Sequence, residues 1–271
     1  MLKRMIFILA LNPLCIESQQ HVGSRALTMG NADVALNDVY AYFHNPAGIT
    51  KIKSTQIGLA YQNKFLLKEF QSQHLVMATP LGRGVISCGA YYFGYDQFRR
   101  ISSGIGYAMP LFEKFSLGVQ LNYHALRLPQ NYLQSNRLTA EIGFMAQITD
   151  SWRMGVSAYN LTQSKWSRNL DDKITSTFKI GAAYTHQKSL LITLEMEKNL
   201  IEKLQLKGGL EYLFLDRFFL RLGASNQPLN FGLGFGAKWK KFQMDLGSNY
   251  HPNLGFSPHF SCIYSFQDLE P

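Results

Sequence analysis

The chain has 271 residues, 46% of them hydrophobic and 13% aromatic, and a formal charge of +9 at pH 7. Its basic residues are scattered singly instead of clustering with aromatics on one element, which argues against nucleic acid and leaves anionic lipid head groups as the natural counterpart. No run approaches the roughly 20 apolar residues of a membrane helix, so this chain can cross a membrane only as strands closed into a barrel.

In chain order, Lys3 and Arg4 precede the apolar run Met5 to Ala10, and polar residues return by Glu17. This order predicts an export signal over residues 1–18. Cys15 is preceded by Asn12, Pro13 and Leu14, which lack the small residues that lipid attachment needs, so the mature chain is expected to be unlipidated. Only Cys88 and Cys262 then remain, and a disulfide framework is not expected.

Residues 19–54 show no alternation. Gly23, Ser24, Ala26, Gly30 and Ala32 allow close backbone packing, and the apolar spacing of Val34, Leu36, Val39, Tyr42 and Phe43 suggests a folded segment with a buried face. Asn45 can cap a short helical turn, Pro46 suits its first position and Gly48 can end it. The segment is therefore expected to fold inward as a hatch or plug.

From residue 55 to residue 267 the chain alternates apolar and polar residues in fourteen short stretches. The predicted strands are 55–66, 69–81, 84–95, 101–111, 115–127, 137–149, 152–161, 175–187, 189–198, 204–215, 218–226, 230–240, 242–250 and 257–267, with residues 268–271 as a tail. Most are near the about 9 to 11 residues a tilted strand needs to span a bilayer. The connections after the even-numbered strands are tight, whereas long ones follow strands five, seven and thirteen. Even strand number with sorted loops predicts an all-β, antiparallel, up-and-down transmembrane barrel in a bacterial outer membrane, in contact with its lipid and lipopolysaccharide.

Period two separates the faces. Phe178, Ile180, Ala182 and Tyr184 should face lipid, as should Leu190, Ile192, Leu194 and Met196. The opposite parity places Glu141, Arg153, Lys179, Glu195, Lys207, Glu211 and Arg221 on the lumen side, where they are expected to form a cross-strand charge network. Gly232, Gly234 and Gly236 on strand twelve leave room inside for the hatch.

Within the hatch, Gly23, Arg25, Met29 and Gly30, the stretch Ala32 to Leu36, and the turn Asn45-Pro46-Ala47-Gly48 together resemble the N-terminal signature of the FadL and PorV/PorQ superfamily of outer-membrane barrels. The resemblance implies fourteen strands, a short strand at Ala32 to Leu36, and one of two functions. FadL-like members pass hydrophobic molecules across the outer membrane through a hatch and an opening in the wall. PorV/PorQ-like members of Bacteroidota act beside the type IX secretion machinery. FadL-type transporters carry long apolar capture loops, whereas the long connections here are polar and basic and offer only Tyr132, Leu133, Trp166 and Leu170 as apolar contacts beside Arg168. The resemblance and the brevity of the chain favour a non-enzymatic partner or cargo-receiving barrel in protein secretion, with hydrophobic-solute transport as the alternative. A sealed wall would disfavour the transport reading and a lateral gap would favour it.

An enzyme is not expected. Ser257 and His259 share one strand face, yet no third group completes a nucleophile, base and orienting partner. The seven histidines are dispersed, and Glu195 and Glu197 lie beside lysines, so neither a metal nor a cofactor is expected.

Overall fold

Alternating burial is what the strands express first. In β5 (Phe115–Arg127), Gly118, Gln120, Asn122, His124 and Leu126 are buried, while Val119, Leu121 and Tyr123 are exposed. The computed structural model describes residues 21–96, 98–128, 134–165, 174–200 and 202–268. The expected export signal lies outside them, as do Tyr132, Leu133, Leu170, Trp166 and Arg168.

Fourteen antiparallel strands close into one barrel in sequence order. After β1 (Gln56–Asn63) come β2 (Gln71–Leu81), β3 (Gly84–Tyr95), β4 (Phe98–Phe112), β5, β6 (Gln134–Gln147) and β7 (Trp152–Tyr159). The second half is β8 (Thr177–His186), β9 (Leu190–Asn199), β10 (Gln205–Phe214), β11 (Phe218–Asn226), β12 (Leu229–Trp239), β13 (Phe242–His251) and β14 (Gly255–Ser265). The closing seam pairs β1 with β14 from Gln56 opposite Ser265 to Gln62 opposite His259, which leaves no sheet edge.

Strand ends differ from expectation where local composition misleads. The first strand stops at Asn63, because the consecutive apolar residues Phe65, Leu66 and Leu67 cannot alternate; Phe65 and Leu66 take left-handed φ values of 58° and 59° in a short 3-10 turn. The fourth strand begins earlier, at Phe98, since Arg100 points into the lumen and is buried instead of lying in a loop. The tight turns after the even-numbered strands stand at one rim. The other rim carries the long connections, but the links between β3 and β4 and between β11 and β12 are tight as well.

The hatch fills the lumen with a helix, α1 (Ser24–Thr28), and two 3-10 helices, η1 (Val39–Phe43) and η2 (Pro46–Lys51). Two expectations are corrected here. Residues 32–36 form turns and not a strand, because the backbone N–H groups of Asp33 and Val34 both donate to Glu195 Oε2, at 2.7 Å each, in place of a neighbouring strand. Asn45 does cap η2 by accepting from the Ala47 N–H at 3.1 Å, with Pro46 first in the turn, but the helix runs through Gly48 to Lys51.

Apolar packing is inverted relative to a soluble domain. The buried clusters join hatch to wall, one combining Val39, Tyr40, Tyr42 and Ile49 with Val76 and Ile263, another Met29, Val34 and Leu36 with Ala183 and Leu191. The outside is greasy: Leu121, Leu194 and Leu233 are 60%, 65% and 59% exposed. Such a surface is unfavourable in water and suits hydrocarbon.

Candidate functional site

Two groups of buried charges hold the first part of the hatch against one side of the wall. Arg25 grips Glu211 with Nε and Nη2, at 2.8 and 2.6 Å, and reaches Asp38 with Nη1 at 3.1 Å. Arg221 donates to the same Glu211 at 2.5 Å and to Asp245 at 2.6 Å. In the second group Asp33 accepts from Lys179 at 3.1 Å and contacts His21, while Lys207 joins Glu195, at 3.2 Å, to Glu197. Burial opposes ionisation of Asp33, but His44, Lys179 and His21 around it hold its carboxyl well below the usual range.

The predicted lumen residues thus separate. Lys179, Glu195, Lys207, Glu211 and Arg221 enter these groups, each completed by a hatch residue. Arg153 instead donates from Nε to the Ala35 carbonyl at 2.6 Å, and Glu141 lines a cavity elsewhere in the lumen. The sequence reading missed the hatch contributions of His21, Asp33 and Asp38. A signal existed at Asp33, a lone acid between Ala32 and Val34 in an apolar stretch, which calls for a buried partner.

The hatch motif residues are spacers and ties. Gly30 has φ 66°, and a Cβ there would stand 2.5 Å from the Ala224 backbone, so only glycine fits this turn against β11. Met29 is fully buried and packs on Gly209. Asn45 binds three segments, donating from Nδ2 to Val34 O at 2.8 Å and Phe144 O at 3.2 Å while capping η2. On strand twelve, Gly232 and Gly234 accommodate Thr28, whereas Gly236 makes room for the heads of Arg221 and Asp245.

His259 does not pair with Ser257. Its Nδ1 lies 2.8 Å from Ser24 Oγ and its Nε2 2.8 Å from Asn249 Oδ1, a serine, histidine and amide chain with the connectivity of a nucleophile system. All three residues are at most 4% exposed, so no substrate carbonyl reaches Ser24; the chain fastens α1 to β13 and β14. Ser257 Oγ accepts from the Phe65 N–H at 3.0 Å. Among the described residues no three metal-binding side chains gather.

Across the lumen from the ion pairs, a cavity of about 50 Å³ lies between β3 to β7 and the hatch residues Tyr42 and Phe43, toward the rim with the long connections. Counting the space open to solvent, the gap reaches about 440 Å³. Its wall carries Arg100, Ser102, Gln120, Asn122, His124 and Glu141, with the Tyr91 and Tyr159 rings. A second cavity of about 160 Å³ stands at the tight-turn rim beside Thr50, Lys51 and Arg153. The η2 turn separates them: a Cβ on Gly118 would sit 2.4 Å from the Ala47 nitrogen. The wall itself is continuous, since every strand pairs with both neighbours. Regular pairing is shortest between β6 and β7, from Ile142 opposite Ala158 to Gln147 opposite Arg153, and above it Leu161 N–H donates to Ala140 O at 3.0 Å.

No protein-family model and no curated protein matches the sequence. Solved structures do match in fold. The CymD monoaromatic hydrocarbon channel superposes with a TM-score of 0.68 at 13% identity, covering 91% of this chain and 98% of that one. The Ralstonia pickettii toluene transporter TbuX gives 0.70 at 11% identity, over 92% and 98%. A Pseudomonas aeruginosa FadL homologue gives 0.64 at 11% identity, over 92% and 99%. At such identities the likeness is one of fold: a closed fourteen-strand antiparallel barrel of the FadL type.

Proposed function

We propose that the protein is an outer-membrane barrel that admits small molecules, taken up at the long-connection rim and released past the hatch. The carrying observation is the pair of cavities on opposite sides of η2, one toward the long-connection rim and one at the tight-turn rim. Two ties of this part of the hatch to the wall, from Asn45 to Phe144 and from Thr50 to Ser116, are neutral, whereas α1 and the turns after it are held by ion pairs. A shift of η2 would join the two cavities without breaking the charged contacts. The continuous wall counts against the lateral opening that the transport reading expected, so the route we propose runs along the lumen. The solved barrels of like fold include hydrocarbon channels, which supports transport over secretion. The secretion-partner reading retains only the motif resemblance.

Entry of radiolabelled toluene and p-cresol into Gram-negative cells that express the barrel tests the proposal. Entry should be faster than through the outer membrane of cells without it, and Ser102→Phe, which fills the outer cavity, should remove the gain. Equal rates with and without the barrel would refute it.

A further inference from the structure

Two arginines stand side by side on the outside of the barrel. Arg99 lies at the start of β4 and Arg127 ends β5, and the register sets them directly opposite each other. Both share the parity of the exposed Ile101, Ile105, Leu121 and Tyr123, so both are on the lipid-facing surface at the long-connection rim, and both are exposed. Side chains so placed have Cβ atoms about 5 Å apart, and like charges in that position repel. Asp96 accepts from Arg99 Nη2 at 3.1 Å, but its side chain is 97% exposed and such a contact is worth little. Arg127 has no ion pair among the described residues, and residues 128–136, which follow it, include no acid. Height places the pair. Arg99 stands ten residues along β4 from Met109, which shares a row of the wall with Leu117 and Phe144. At about 3.4 Å per residue and a tilt of about 40°, that separation is about 25 Å, the height of the apolar band of an outer-membrane barrel. The outward residues between these rows on β4 and β5 carry no charge. Tyr92 and Tyr123 lie just below the arginines, at the level where aromatic girdles mark the interface.

We infer that Arg99 and Arg127 together hold a phosphate of lipid A, the phosphorylated glycolipid of the outer leaflet, with its acyl chains lying along the apolar surface beneath. The fork of a guanidinium group matches phosphate oxygens two at a time, and an anion between the two arginines turns their repulsion into attraction. Charge selects the kind of phosphate. A phosphomonoester carries about 1.5 to 2 negative charges at neutral pH, which matches two guanidinium groups, whereas the phosphodiester of a phospholipid carries one. This inference uses the orientation of the uptake reading, with the long-connection rim outside, and does not depend on transport.

Native mass spectrometry of the purified, detergent-solubilised full barrel tests it with three probes: diphosphoryl lipid A, the same lipid A freed of both phosphates, and phosphatidylglycerol. We expect diphosphoryl lipid A to be held about tenfold more tightly than either of the others. Arg99→Gln combined with Arg127→Gln should bring it to the level of the dephosphorylated lipid. Lys188→Gln combined with Lys240→Gln takes the same charge from the tight-turn rim, more than a Debye length away, and should change binding less than about twofold. All four side chains are exposed, and heat-modifiable migration checks that each variant is folded; should the arginine variant fail that check, the wild-type order of the three lipids decides alone. Lipid A held no more tightly without its variants' loss of charge than with it, or no more tightly than phosphatidylglycerol or the dephosphorylated lipid, overturns the inference, as does an equal loss from both double variants. Labelling on intact cells that puts the tight turns outside overturns it too, since the arginines would then face the inner leaflet. Selective binding of lipid A by a barrel that admits toluene no faster leaves the lipid site standing and removes the transport reading alone.

Discussion

Glu211 is 5% exposed and carries two guanidinium groups, that of Arg25 from the hatch and that of Arg221 from the neighbouring strand. Buried ion pairs add little net stability over apolar packing, yet removing one partner strands the others in a place water cannot reach. Glu211→Gln is therefore expected to destabilise the folded barrel by about 3 to 5 kcal/mol in urea titrations from lipid vesicles. A neutral exchange at the rim, such as Asn253→Ser, should stay within about 0.5 kcal/mol. Gly118 makes a different demand, because any side chain there meets the backbone of Pro46 and Ala47. Gly118→Val should displace η2 while the strands still close, seen as faster amide exchange over residues 45–51 with unchanged heat-modifiable migration.

At the level of elements, the hatch is fastened unevenly. Ion pairs and the Ser24, His259 and Asn249 chain fix α1 and the turns after it to β8 through β14, and η2 meets β4 through β6 mainly by close packing. The charged side is thus an anchor, and the side held by packing is the part that would have to move in the uptake proposed above. Replacing both Arg25 with Ala and Asp33 with Asn should release the anchor. We expect that variant to conduct ions in planar bilayers, where the wild-type barrel stays closed or flickers; an equally silent variant would show that the hatch holds its place without these pairs.

For the whole molecule, the outer face must match hydrocarbon and the two rims must match two aqueous compartments. Leu194 is 65% exposed on the outer face of β9 and its neighbour Thr193 is buried in the lumen. Leu194→Arg should cost about 2 to 4 kcal/mol of folding free energy in vesicles if the residue lies near the bilayer midplane. Orientation has its own check, in a background with Cys88 and Cys262 replaced. A cysteine at Asn253, in the connection between β13 and β14, should react with an impermeant maleimide on intact cells, and one at Asp216, in the tight turn after β10, should not. The opposite result would invert the barrel in the membrane.

What the sequence determined by itself is local and periodic. A two-residue repeat assigns each side chain to lipid or lumen, so the strand number, the antiparallel order and the inward parity of Lys179, Glu195, Lys207, Glu211 and Arg221 could be read directly. The reading slipped where the repeat was obscured, by three apolar residues at Phe65 to Leu67 and by two arginines at Arg99 and Arg100. The same two-residue period along Phe115 to Arg127 puts Gln120, Asn122 and His124 on the inner face of the fifth strand, but a cavity beside them has no mark in the repeat. Which side chains meet across the lumen follows from the closed three-dimensional arrangement alone. Arg25 finds Glu211 186 residues away, and Ser24 finds His259 at a separation of 235. Such contacts depend on how the hatch lies inside a closed wall, because a buried charge takes the partner that closure brings near, and no repeat along the chain encodes that distance.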